Sequence, residues 1–165
     1  MRTSAAPALL VLALAGAALE NIEPVTAVDG RSLAAAQSRE EQELEKLLRE
    51  FADAWNRHDV NALMSMMTED GVFEASAGNH ADGERHQGKR AVQAAYEAVF
   101  AQYPDAHWGN ARHFVKGNRG VSEWTFMGTL KDGRRVEVTG CDLFTFRDGK
   151  IAVKNSFRKN RPPIG

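Results

Sequence analysis

Residues 119–158 run RGVSEWTFMGTLKDGRRVEVTGCDLFTFRDGKIAVKNSFR. Large apolar residues fall at every second position, as in Trp124 and Phe126, Val136 and Val138, and Phe144 and Phe146. That is the period of a strand with one face buried. Lys131-Asp132-Gly133 and Arg147-Asp148-Gly149 interrupt the alternation and supply glycine where a hairpin turn needs positive φ. Just upstream, Lys116-Gly117-Asn118 does the same. Four strands are predicted, near 105–116, 119–130, 134–147 and 150–158, forming an antiparallel meander with no parallel crossover.

Before Pro104 the period is helical. Ser38 with Glu41 three residues on is a capping box. Leu44, Leu47, Leu48, Phe51, Ala52 and Trp55 then form one stripe of a first helix. Asp59 can cap a second, short helix carrying Leu63, Met64 and Met67. Glu69-Asp70-Gly71 reads as a turn, Val72 to Ser76 as a strand, and Ala77 to Gly88 as a polar loop. A third helix begins near Lys89 and shows Ala91, Val92, Ala95, Tyr96, Val99 and Phe100 on one face.

Helices followed by a long sheet make an α+β domain with the helices on one face. Long strands twist and bend, so the sheet is expected to curl into a half-barrel, a cone closed by three helices. Layers that cannot meet at the wide end leave a cavity, the usual place for a small ligand. The domain is placed at 38–161. Residues 1–37 are an extension and linker: Arg2, the apolar run 8–14 and Ala15-Gly16-Ala17 resemble a secretory signal, and a disordered extension is the other reading. The location is cytoplasmic, or exported if residues 1–17 act as a signal.

Net charge is −1 over 165 residues, with both signs interspersed, so the chain lacks the basic face that nucleic acid requires. The apolar run near the N-terminus is too short to span a bilayer, and no membrane insertion is expected. The single cysteine, Cys141, excludes an intrachain disulfide and reads as a packed strand residue. Neither Cys/His spacing nor an HExxH pattern suggests a metal.

Several stretches, in order, resemble the nuclear transport factor 2-like superfamily, and within it SnoaL-like and ketosteroid-isomerase-like small proteins. They are Phe51-Ala52-Asp53-Ala54-Trp55-Asn56 with His58-Asp59, and Met67 to Phe73. Gly88-Lys89-Arg90-Ala91-Val92, Glu123 to Phe126 with Gly128, and Gly140 to Ile151 complete the set. The resemblance implies the cone fold, a cofactor-free pocket for a hydrophobic molecule, and a homodimer through the sheet face. Ketosteroid isomerases use a carboxylate base, a helix tyrosine and a protonated aspartic acid. Their acid position matches Asp142, and a further tyrosine matches Tyr96. The base position falls on Ala75 and the main tyrosine on Phe51.

Asp142 is the candidate catalytic residue. It shares a strand face with Val138, Gly140, Phe144 and Phe146, where an ionised carboxyl is costly. As a neutral acid it would donate to a ligand oxygen. Pairing with a lysine or arginine across the sheet is the alternative. Trp55, Met67, Phe73, Tyr96, Trp124 and Phe144, with Met64, would line an apolar pocket. Asn155 would bury its amide there beside Ile151, Val153 and Phe157. Glu74, Glu123, His80, Asp82 and His86 are candidate replacement bases and read as solvated loop or strand residues, and His58 belongs to its helix turn. His107 and His113 share a parity and are both placed on the sheet surface.

Two readings follow. One is an isomerase, cyclase or dehydratase acting without cofactor on a hydrophobic carbonyl compound. The other is a non-catalytic ligand-binding or dimeric assembly module. The titratable groups inside the cone distinguish them.

Overall fold

The computed structural model describes residues 30–164, with side chains from 39 onward. The possible signal at residues 1–17 and most of the predicted linker lie outside the described residues. Helix α1 spans Gly30–Asn56, α2 Val60–Ser65 and α3 Lys89–Gln102. The strands are β1 (Met67–Glu74), β2 (Arg85–Gln87), β3 (His107–Lys116), β4 (Arg119–Thr129), β5 (Arg135–Arg147) and β6 (Lys150–Arg158). They form one curved sheet in the order β2-β1-β6-β5-β4-β3.

The meander forms as its alternation requires: β3, β4, β5 and β6 pair antiparallel in sequence order. Asp148 and Gly149, with φ of 53° and 70°, make the two-residue turn that joins β5 to β6. The meander itself holds no parallel pairing, as expected; β1, outside it, lies parallel to β6, so the sheet is mixed at that one junction. The chain reaches that position through the three-strand return of β3 to β5. The Glu69-Asp70-Gly71 segment, expected as a turn, belongs to β1 and sits at an irregularity in that pairing. Met67 accordingly opens β1 and is not part of α2. Part of the predicted loop 77–88 pairs with β1 as β2.

Helix α1 starts eight residues before the predicted capping box, because Arg31, Leu33, Ala34, Ala35, Ala36 and Gln37 are good helix formers. Ser38 therefore lies within the helix. Glu41, expected to cap it, instead accepts from the Gly117 amide (3.0 Å) and pairs with Lys116 (3.0 Å), fastening α1 to the β3–β4 turn. Asp59 caps α2 as its position suggests, accepting from the Ala62 amide at 2.9 Å. Leu44, Leu48, Phe51 and Trp55 of α1, Leu63 of α2, and Val92 and Tyr96 of α3 are buried against the sheet. No helix among the described residues is long and apolar enough to cross a membrane.

Two bulges set which residues face the helices. In β3, Gly109 pairs with Thr125 and Arg112 with Glu123, so β3 carries one extra residue where β4 advances by two. In β6, Ile151 pairs with Phe146 but Val153 with Thr145, leaving Ala152 as the extra residue. Each insertion reverses the facing of everything beyond it.

Candidate functional site

The bulge at Ala152 corrects the placement of Asn155. Asn155 pairs with Leu143 on the outer face, while Lys154 pairs with Phe144 and Ser156 with Asp142 on the inner face. The bulge in β3 likewise separates the two histidines. His107 stays outside, opposite Met127, and His113 turns inward, opposite Ser122. One polar row thus crosses the inner face from His113 through Ser122 and Asp142 to Ser156.

Asp142 is fully buried at the centre of that row and Lys154 beside it is 2% exposed. The Asp142 carboxylate accepts from three donors. Trp124 Nε1 donates to Oδ2 at 2.9 Å, Lys154 Nζ to Oδ1 at 2.9 Å, and Ser156 Oγ to Oδ1 at 2.5 Å. Lys154 Nζ also donates to Ser156 Oγ at 2.7 Å. The expectation that Asp142 would donate to a ligand gives way here, because every neighbouring polar group is a donor. The alternative pairing with a lysine is the one present, and it lies inside the cone.

Aromatic rings enclose this pair. The chain's three tryptophans form one stack, with Trp55 to Trp108 at 4.4 Å and Trp108 to Trp124 at 5.7 Å, nearly parallel. Lys154 Nζ lies 4.7 Å from the centre of the Phe73 ring, 5.3 Å from Trp108 and 5.9 Å from Trp55. Tyr96 meets Trp55, Phe73 and Phe51, and Phe51 meets Phe144. Met67 is reached by the Tyr96 hydroxyl at 3.8 Å. Trp55, Met67, Phe73, Tyr96, Trp124 and Phe144 therefore come together, and they fill the centre by touching one another. The best-formed concavities of the described residues are all at the surface, and none is lined by Asp142.

Burial shifts several of these groups. It lowers the Lys154 pKa by penalising the ammonium, with Asp142 acting in the opposite sense. It raises the Tyr96 phenol well above its ordinary value, and the Asp142 charge adds to this. Burial, then the Arg49 charge, lowers His113, against Glu45 and Asp53 on α1. His113 Nδ1 is 2.8 Å from Ser122 Oγ.

Hydrogen-bond donors outnumber acceptors inside the cone. Among the described residues, Trp55 Nε1 is buried without a partner. Among the same residues, the Tyr96 hydroxyl has only the Met67 thioether. Lys154 has three N–H groups and two oxygen partners. A buried donor left without an acceptor costs on the order of 1–3 kcal/mol.

The remaining candidates lie elsewhere. Glu74 pairs with Arg85 at the sheet edge, and Glu123 pairs with Arg112 on the outer face. His80 and Asp82 are exposed on the β1–β2 loop. His86 stacks on Phe73 at 5.7 Å and stands at the rim of the aromatic cluster. His58 bonds the Ala106 carbonyl at 2.8 Å and stacks on Phe100. Cys141 faces outward, its thiol pKa raised by partial burial and by the Asp142 and Glu123 charges, which disfavours the nucleophilic thiolate. No cluster of three or more His, Cys, Asp or Glu that could hold a metal occurs among the described residues.

Sequence reasoning missed Lys154 and Ser156. The signal was Ile151-Ala152-Val153, three consecutive apolar residues that cannot all obey a period of two. Gly109-Asn110 inside β3 was the corresponding sign for His113, since glycine within a strand marks a bulge.

A family model described as the SnoaL-like domain matches residues 48–154. The chain belongs to the SnoaL-like domain family. Among solved structures, a proposed polyketide cyclase from Xanthomonas campestris pv. campestris is 20% identical with a TM-score of 0.66, the match covering 73% of this chain and 93% of that one. An NTF2-like protein of unknown function from Mesorhizobium loti is 28% identical with a TM-score of 0.62, covering 73% and 93%. A phenazine biosynthesis-related protein from Pseudomonas aeruginosa is 18% identical with a TM-score of 0.66, covering 79% and 86%. No curated protein matches the sequence. This SnoaL-like chain thus shares the nuclear transport factor 2-like cone with proteins of diverse description, and a fold alone assigns no reaction.

Proposed function

We propose that this SnoaL-like protein takes up a small, apolar carbonyl compound between α3 and the inner face of the sheet, with Asp142 and Lys154 at the reacting end. The observation that carries this reading is the donor surplus around a fully buried ion pair: Trp55 Nε1, the Tyr96 hydroxyl and the third N–H of Lys154 lack oxygen acceptors. A carbonyl oxygen accepts two such donors, and the rings of Trp55, Phe73 and Trp108 offer apolar contact for the rest of the molecule. If the carbonyl becomes an enolate, the same donors stabilise the negative oxygen, the main effect in cofactor-free isomerase, cyclase or dehydratase chemistry. The polyketide cyclase and phenazine-biosynthesis neighbours are in keeping with such a ligand.

Entry requires the cover to open. Helix α3 is one element of that cover. Its N-terminal position is Gly88, which offers no side-chain cap, and only Val92 and Tyr96 of the helix are fully buried. Covering elements of this kind gate access in many enzymes.

Thermal unfolding and tryptophan fluorescence test the reading, because all three tryptophans lie in the stack. A panel of apolar ketones is expected to contain members that raise the wild-type Tm by mass action and perturb the fluorescence. Replacing the pair with apolar residues, in an Asp142→Leu/Lys154→Met variant, is expected to abolish both responses. A panel without effect on the wild type, or with equal effect on both proteins, refutes it.

The second reading, a homodimer through the sheet, is favoured by one observation. Phe114, Met127 and Phe157 are exposed, and a concavity of about 790 Å³ between β3 and β6 is lined by Phe157, Cys141, Thr125 and Arg112 among others. Sedimentation of wild type and Phe157→Arg checks it: a dimer that the substitution leaves intact excludes this face.

A further inference from the structure

We propose that Lys154 is an amine nucleophile that forms an imine with an aldehyde or ketone held against the inner face of the sheet. This deepens the reading above and rests on it, adding a covalent step and restricting the substrate to carbonyls able to condense with an amine.

The argument is geometric first. A lysine serves as a nucleophile when its surroundings remove water from the amine and a nearby group can take and return a proton. Lys154 has both. Its Nζ is surrounded by Phe73, Trp108 and Trp55, and among the described residues its oxygen partners are Asp142 at 2.9 Å and Ser156 at 2.7 Å. Ser156 Oγ in turn contacts Asp142 Oδ1 at 2.5 Å, so amine, hydroxyl and carboxylate form a closed triangle through which a proton can pass. Trp124 holds the other carboxylate oxygen. Desolvation works in the same direction, since it favours the neutral amine.

The step balances within these residues. Lys154 Nζ passes one proton to Asp142 Oδ1, leaving an amine and a carboxylic acid. The nitrogen lone pair attacks the carbonyl carbon, the π pair moves to oxygen, and a proton crosses from nitrogen to that oxygen through Ser156. The product is a neutral carbinolamine. Asp142 then protonates the hydroxyl, the C–O bond breaks, water leaves, and the nitrogen lone pair closes the C=N bond. A protonated imine now faces a carboxylate, with the net charge of the starting ion pair, and nothing has been oxidised or reduced. The cation withdraws electrons from the adjacent carbon, which makes loss of an α-proton or an intramolecular aldol closure easier.

Benzaldehyde tests the first half alone, because it condenses with amines but has no α-hydrogen. The full chain is incubated with it and sodium cyanoborohydride at neutral pH, digested, and mapped by mass spectrometry. Reductive benzylation is expected at Lys154 in preference to exposed Lys46 and Lys116, which are 62% and 89% exposed. Its initial rate should exceed theirs by about tenfold or more, as expected of a desolvated amine with a proton acceptor beside it. Asp142→Asn, checked for fold by circular dichroism, should slow labelling of Lys154 without slowing that of Lys116. The wild-type map is decisive even if that variant does not fold. Labelling confined to exposed lysines while apolar ketones still raise the Tm overturns the imine and leaves the binding reading standing. Labelling confined to exposed lysines with no ligand-induced shift overturns both.

Discussion

The two faces of the sheet each carry an ion pair between neighbouring strands, and the pairs live in different solvents. On the outer face Arg112 and Glu123 meet at 2.6 Å with side chains 72% and 45% exposed. On the inner face Lys154 and Asp142 meet at 2.9 Å with side chains 2% and 0% exposed. Outside, water screens the attraction and solvates either partner when the other is absent. Inside, both charges have lost their hydration, and their mutual attraction only partly repays that loss. An apolar pair of similar size would hold the cone together at least as well. The inner pair is therefore not explained by stability, and the proposed function gives it a chemical role instead.

The largest effects should come from breaking the inner pair asymmetrically. Asp142→Leu or Lys154→Met alone leaves one buried charge uncompensated and is expected to cost about 3–5 kcal/mol in urea unfolding. The double variant is expected to recover most of that loss, or to exceed wild type by about 1–4 kcal/mol. Singles that cost little, or a double variant as unstable as their sum, would erase the contrast between the faces.

A smaller effect is expected at Gly140, which sits opposite Trp124. A Cβ there would approach the Trp124 ring and the Phe157 carbonyl oxygen to 2.4 Å. Gly140→Ala must push Trp124 away from Asp142, with a destabilisation of about 1–3 kcal/mol from overpacking. Altered tryptophan emission should accompany it. Unchanged emission would mean the indole of Trp124 is not held by the carboxylate.

His113 gives a third contrast, one of pH. It faces Ser122 across the strand pair and Glu45, Arg49 and Asp53 on α1. Its folded pKa lies below the ordinary value, so near and below about pH 6.5 the unfolded chain binds a proton that the native protein resists. Stability should fall as pH drops from neutral through that window, ahead of the losses from Asp70, Asp105 and Asp132, whose carboxyls titrate lower. His113→Gln should flatten the first part of the curve, whereas His107→Gln should not. Equal curves for the wild type and the His113 variant would put His113 in water.

The same contrast between faces explains what could be read from the chain in advance. The meander, its turns and the helix stripes were legible because each rests on local periodicity or turn chemistry, as in Asp148-Gly149. Asp142 was legible too, since β5 keeps an unbroken alternation from Val136 to Phe146. Its partner was not. Lys154 lies two residues beyond an inserted Ala152, and one insertion moves every later side chain to the opposite face. Parity counted from Ile151 therefore put Asn155 inside. The parallel seating of β1 on β6 was illegible for another reason: it depends on a contact between distant segments that no local pattern encodes.

The smallest effect separates an isolated outer face from a covered one. If the outer pair is solvated, Glu123→Gln removes a screened contact and should change stability by less than about 1 kcal/mol, diminishing further in added salt. The result should then be the same at low and high protein concentration. If a second copy covers the concavity beside Phe157, Glu123 and Arg112 lose their water on association and come to resemble the inner pair. The cost of Glu123→Gln would then grow with protein concentration, because only the associated form pays for the unpaired arginine. Urea midpoints of wild type and variant across a concentration series, with sedimentation on the same samples, distinguish the two. A concentration-independent difference with a monomer throughout would remove the sheet face as a pairing surface and leave the buried pair as the feature that separates the two sides of the cone.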